Sequence, residues 1–265
     1  MSSDRRRSVA GWFGAALALV LLAATAGHAG PVAVKLLEGN ARGFIVVRSP
    51  EGEVIAHGEM RQLPVRGGIE SRLSLAFKDG SQREETVVFS QNKIFRLERF
   101  HLVERGPSFP TTEVSFDRKS GQYRARTQEK KGGEERTSAG TLEMPADLYN
   151  GMALVLLKNL AAGQRADGRV AVFTPKPRLI KMDLVPEGDD KVRFGPSTLT
   201  VRRYVVKLDV GGLAGLIAPM IGKDPPDSRY WLATGDVPAF VRFEGAMFLN
   251  GPIWRIEMTM PEWPR

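Results

Sequence analysis

Short runs of alternating apolar and polar residues, broken by turn residues every 8–12 positions, constrain this chain most. Leu73, Leu75 and Phe77 alternate with Ser74 and Ala76, Asp79-Gly80 turns the chain, and Thr86-Val87-Val88-Phe89 returns. Side chains in a strand point to opposite faces with a period of two, so such runs predict strands with one buried face. Asp-Gly between two of them is a strong hairpin signal. The pattern recurs in Gly43–Val47 and Glu53–Met60 around Ser49-Pro50-Glu51-Gly52, and in Ile94–Val103, where Phe95, Leu97 and Arg99 share one face. Further strand pairs flank Asp117-Arg118-Lys119-Ser120-Gly121 and Lys131-Gly132-Gly133-Glu134. Arg169–Phe173, Arg178–Val185, Leu199–Val210, Tyr230–Thr234, Ala239–Leu249 and Ile253–Met260 continue it to the end.

One helix interrupts the strands. Pro145 suits a first helical position and Gly163 a C-terminal stop, so a helix is expected over 146–162. Leu148, Met152, Val155, Leu156 and Leu160 share a broad face. Ala153, Leu154 and Leu157 make its middle apolar all round, the mark of a buried helix. The expected fold is all-β with one buried helix: an antiparallel meander forming a strongly curved sheet or half-open barrel, with the helix across its concave face. Residues 31–265 read as a single β-rich domain. Two lobes divided near 145–163 are the alternative.

Residues 1–29 read as a secretory signal peptide. Arg5, Arg6 and Arg7 precede an uncharged, Ala- and Leu-rich run to Ala26, and small residues allow cleavage after Ala29 or Ala26. A retained anchor is the competing reading, and Arg6-Arg7 also resembles a twin-arginine signal. The expected location is the periplasm. The 265 residues contain no cysteine, which suits an oxidising compartment and excludes thiolate zinc sites, iron–sulfur ligation and cysteine nucleophiles. The net charge of +8 includes three arginines and one aspartate of the leader, so the mature chain carries about +6.

The C-terminal quarter has a distinctive series: Tyr204-Val205-Val206-Lys207-Leu208, Tyr230-Trp231-Leu232, Pro238-Ala239-Phe240-Val241-Arg242 and Pro252-Ile253-Trp254-Arg255-Ile256. It resembles uncharacterised bacterial periplasmic proteins of a numbered domain-of-unknown-function family, distantly similar to the half-barrels of Lol-type lipoprotein carriers. The resemblance implies an envelope protein with an apolar concave surface and carries over no catalytic residue.

The chemistry-bearing residues are sparse. The mature chain keeps His57 and His101, and there is no Gly-x-Ser-x-Gly elbow, no paired metal-ligand histidines, no P-loop and no Gly-x-Gly-x-x-Gly. Glu84-Glu85 and Asp189-Asp190 are adjacent pairs whose members point to opposite faces and read as solvated hairpin charge. No enzyme activity, catalytic residue, metal or cofactor is expected. Arginines and lysines are dispersed and few aromatics lie between them, so nucleic acid is not an expected partner. The basic excess instead suits anionic envelope surfaces.

From Gly211 to Ile221 the chain is uncharged and glycine-punctuated. The expected hydrophobic-ligand or membrane contacts are Leu213, Leu216, Ile217, Met220 and Ile221 of this segment, with Met152 and Leu156 of the helix. The sequence thus points to an exported envelope protein binding a lipid or other hydrophobic ligand in a concave sheet. A structural or interaction protein of the envelope, docking a protein partner, is the other reading.

Overall fold

The computed structural model describes residues 31–128, 132–173, 176–209 and 226–259. The leader 1–29 and the segment Gly211–Ile221 lie outside the described residues. Fourteen antiparallel strands form one sheet: β1 Ala41–Arg48, β2 Val54–Val65, β3 Gly68–Phe77, β4 Gln82–Asn92, β5 Ile94–Arg105, β6 Thr111–Asp117, β7 Gln122–Gln128, β8 Glu135–Thr141, β9 Ala166–Phe173, β10 Pro177–Phe194, β11 Ser197–Asp209, β12 Ser228–Ala233, β13 Ala239–Ala246 and β14 Ile253–Thr259. Their order is β8-β7-β6-β5-β4-β3-β2-β1-β14-β13-β12-β11-β10-β9. β1 pairs with β14, so strands from either side of the helical segment join a single curved sheet that does not close. Its two ends, β8 and β9, are joined by the segment that carries the helix.

The period-two pattern sets one face of each strand inward. Ile69, Val87, Phe100, Val114, Phe116 and Tyr123 enter a core completed by Met182, Leu184, Tyr204 and Leu232 from the other half of the sheet. A second inner cluster gathers Ile45, Val47, Leu75 and Phe77 with Phe109, Trp254 and Ile256. Phe77, Phe109 and Trp254 make mutual ring contacts at 5.0–5.5 Å, within the favourable range for aromatic pairs. Leu154 of the helix packs against both clusters, so the helix sits where the two halves of the concave face meet.

Register shifts interrupt the alternation at four places: in the β1–β2, β4–β5, β10–β11 and β12–β13 pairs. Each inserts one unpaired residue, which bends the strand and raises its twist. The shift in β5 falls on Glu98: Leu97 pairs with Phe89, and Arg99 pairs with Val88. It moves Arg99 off the face of Phe95 and Leu97, where simple alternation would place it. The extra residue is anchored, since its carbonyl accepts from Arg118 N and its carboxylate from Ser90 Oγ.

Two elements differ from expectation. The helix α1 runs only Ala153–Lys158, not 146–162. Residues 147–150 instead line the edge of β9. Tyr149 N donates to Arg169 O, Arg169 N donates to Asp147 O, and the Asn150 amide exchanges two hydrogen bonds with the backbone of Ala171. Gly151, at φ +69°, then turns the chain into the helix, a conformation that glycine adopts without the usual steric cost. The strand expected to end at Val185 continues to Phe194, because beyond the bulge at Glu187 the run Gly188–Lys191 pairs in register with Thr200–Arg203 and the hairpin turns at Gly195.

Candidate functional site

The concave interior is the candidate site, and the chain's own residues occupy it. Leu148, Met152 and Leu156 have no exposed surface, and Val155 and Leu157 are nearly as buried. Met152 and Leu156, expected to touch a ligand or membrane, are core residues packed among strand side chains. Leu213, Leu216, Ile217, Met220 and Ile221 lie outside the described residues.

A short N-terminal strap, residues 31–38, is tied to the helical segment. Val32 is buried in the core, and its N–H donates to Tyr149 Oη at 3.0 Å. Its carbonyl accepts from Phe95 N, while Val34 N donates to Lys93 O, holding the strap to the β4–β5 turn. Asn159 Oδ1 accepts from both Lys35 N and Leu36 N, at 2.8 and 2.7 Å, while its Nδ2 donates to Val155 O. Asn159 is 2% exposed, so these bonds form away from solvent. Glu38 pairs with Lys158 at 2.7 Å and exchanges backbone bonds with the Gln91 side chain. Arg118 fixes the other end of the linker by donating to Leu97 O, Met144 O and Pro145 O.

A buried ionic cluster lies on the same inner face. Arg83 and Glu85 stand two residues apart on β4, with Glu104 opposite Arg83 on β5. The Arg83 guanidinium donates to Glu104, to Glu85 Oε2 at 2.7 Å and to Met247 O at 3.1 Å. Side-chain exposures of 8%, 15% and 2% for Arg83, Glu85 and Glu104 place the group in the interior. One cation faces two carboxylates there, and burial pushes the Glu104 carboxyl above its usual range against the opposing pull of Arg83. Tyr230 is partly buried close by, and desolvation holds its phenol well above its usual range. Gly151 belongs to this contact, because a Cβ there would lie 2.7 Å from Glu85 Oε1 and 2.5 Å from Val87.

The arrangement braces the interior. Arg83 joins the β4–β5 wall to the loop after β13 through Met247 O, and its carboxylates are shielded from water. Glu85, expected as solvated hairpin charge, is instead part of this cluster, whereas Glu84 is exposed. Asp189 and Asp190 are exposed and pair with Arg202 and Arg203. His101 is half exposed on the outer face, 3.9 Å from Glu113. Among the described residues, no three His, Asp or Glu side chains converge as a metal site would require.

The fold has a solved counterpart. The chain is similar to the crystal structure of a β-barrel-like protein of the domain of unknown function DUF1849 from Brucella abortus, with a TM-score of 0.50 and 9% sequence identity. The match covers 84% of this chain and 97% of that one. At this identity the likeness shows a shared β-barrel-like architecture. No family model and no curated protein matches the sequence.

Proposed function

We propose that this chain is an exported cell-envelope protein that works as a rigid structural or interaction module, with its concave face filled from within. One observation carries the reading. Leu148, Met152 and Leu156 lie wholly buried on the concave side, where a Lol-type carrier would hold an acyl chain. Their burial stabilises the fold by roughly 1.5–3 kcal/mol per side chain, and a ligand entering there must first displace them. Strap, helix and Arg83 brace fasten this plug by hydrogen bonds to several strands. Export is supported by the arginine-led apolar leader and by the absence of cysteine. Asn150 covers the backbone of β9 at one end of the sheet, while among the described residues β8 has only β7 as its strand neighbour. Such an edge is where a partner could add a strand.

Lipid content tests this reading. The mature protein, purified from its native envelope without detergent exchange, is extracted and its lipids quantified by mass spectrometry. A fluorescent fatty acid is titrated in parallel. The module reading predicts well under 0.1 mol lipid per mol protein and no saturable fluorescence change. Stoichiometric lipid, released by competing fatty acid, would establish a carrier instead.

A further inference from the structure

The sheet face opposite the helix carries a second concavity. It is a groove of about 470 Å³ crossing β3 to β7, within the ~300–1,000 Å³ range of small-ligand clefts. Register places its residues in two neighbouring rows. One runs Arg72, Thr86, His101, Ser115 and Arg124, each directly opposite the next on the adjacent strand. The other runs Glu70, Val88, Arg99, Asp117 and Gln122 in the same manner. With strands ~4.8 Å apart, Arg72 and Arg124 stand ~19 Å apart at the two ends. The Glu98 bulge is what delivers Arg99 to this face.

We propose that this groove binds a short anionic oligosaccharide laid across the strands, its carboxylate or phosphate groups held by Arg99 and Arg124. Four observations support that class of ligand. Arg99 and Arg124 are exposed, line the groove and form no ion pair among the described residues, whereas Arg72 is engaged by Glu70 at 3.2 Å. Unpaired guanidinium groups can bind carboxylate or phosphate in bidentate fashion. Thr86, Ser115, Ser120 and Gln122 line the groove with these cations, beside the carboxylates of Glu70 and Asp117, and offer the donors and acceptors that sugar hydroxyls need. The aromatic residues Phe100, Phe116 and Tyr123 turn their side chains into the core, which leaves the single His101 imidazole exposed in the lining and no platform of successive rings for nucleobases to stack on. Val88 is the one aliphatic residue of the lining, so the groove lacks the apolar pockets that read peptide side chains. The proposal concerns the outer face and stands whether or not the interior takes up lipid.

The test uses the mature full-length protein and five probes: trigalacturonic acid, glucose 1,6-bisphosphate, inorganic phosphate, uncharged maltotriose and a hexaglutamate peptide. Binding is followed by calorimetry at low and physiological salt, and located by amide chemical-shift changes. The proposal predicts saturable binding of trigalacturonate or the bisphosphate, with shifts centred on Arg99, His101, Ser115 and Arg124. The two charged sugars separate a carboxylate-bearing ligand from a phosphate-bearing one. Maltotriose and inorganic phosphate should each bind at least tenfold more weakly. The exposed-site double variant R99Q/R124Q should melt with wild type and lose at least tenfold in affinity. Four results would overturn the proposal: no saturable binding of either charged sugar, shifts mapping elsewhere, unchanged affinity of the variant, or inorganic phosphate or a hexaglutamate peptide binding as tightly.

Discussion

Replacing Arg83 by Met isolates what the buried ionic cluster contributes. The substitution keeps an unbranched apolar stem of similar reach but removes the cation between Glu104 and Glu85, whose side chains are 2% and 15% exposed. Removing one partner of a buried ion pair typically costs 3–5 kcal/mol, because the remaining charge stays desolvated. The Met247 carbonyl also loses its donor. We therefore expect about 4 kcal/mol of destabilisation at pH 7, a melting temperature lower by about 10 °C for a domain this size. The pH dependence has a definite sign. The folded Glu104 carboxyl already sits above its ordinary value, so its favourable contribution is full below the unfolded value near 4.5 and is lost as pH rises through the folded one. Without Arg83 the folded value rises further. The penalty for R83M should thus shrink between pH 7 and pH 4.5. Removing the stranded carboxylate as well, in R83M/E104L, should recover about 2 kcal/mol of the loss. Guanidinium denaturation of wild type, both single variants and the double variant at the two pH values measures the full cycle. A single variant within 1 kcal/mol of wild type at pH 7, or a double variant no more stable than R83M, would refute the brace.

Three further substitutions and one control probe the plug, the strap and the sheet. Leu156→Ala should cost about 3 kcal/mol in denaturant melts with an unchanged m-value, because it leaves a void at a fully buried site. Asn159→Ala removes the acceptor of Lys35 N and Leu36 N and the donor to Val155 O. It should cost about 3 kcal/mol and make the strap the first site of limited proteolysis. Gly58→Ala would put a Cβ 2.3 Å from the Ser74 carbonyl across the β2–β3 pair, and should lower stability by at least about 2 kcal/mol. Gly67→Ala faces open space at φ +88° and should cost only about 1 kcal/mol, which makes it the matched control in the same thermal melt.

The strands are legible in the sequence because burial on one face leaves a period-two record, as in Leu73, Leu75 and Phe77. Legibility ends where a local interaction breaks the period or polar residues do structural work. Apolar spacing overextends the helix because it continues through Leu148, yet Asn150 and Gly151 commit that stretch to the edge of β9. Alternation assigns Arg99 to the inner face because nothing in Glu98 itself announces a bulge, although the bulge decides which side of the sheet Arg99 serves. Glu85 and Glu104 are invisible as core residues because a carboxylate is normally solvated. Their burial depends on Arg83, which only the β4–β5 register brings opposite Glu104. The apolar, inward character of Met152 and Leu156 is plain from their spacing. Whether such residues face a ligand or each other is a property of the packed interior, which spacing alone does not encode.

Amide hydrogen exchange of α1 tests most directly whether the interior is permanently filled. The amides of Leu156, Asn159 and Leu160 are hydrogen-bonded within the helical segment. If the plug is part of the rigid core, they exchange only by global unfolding, with an opening free energy equal to that from denaturant melts and unaffected by fatty acid. If α1 opens at a free energy several kcal/mol below the global value, or its protection changes when a fatty acid is added, the interior is a gated pocket, which contradicts a permanently filled core.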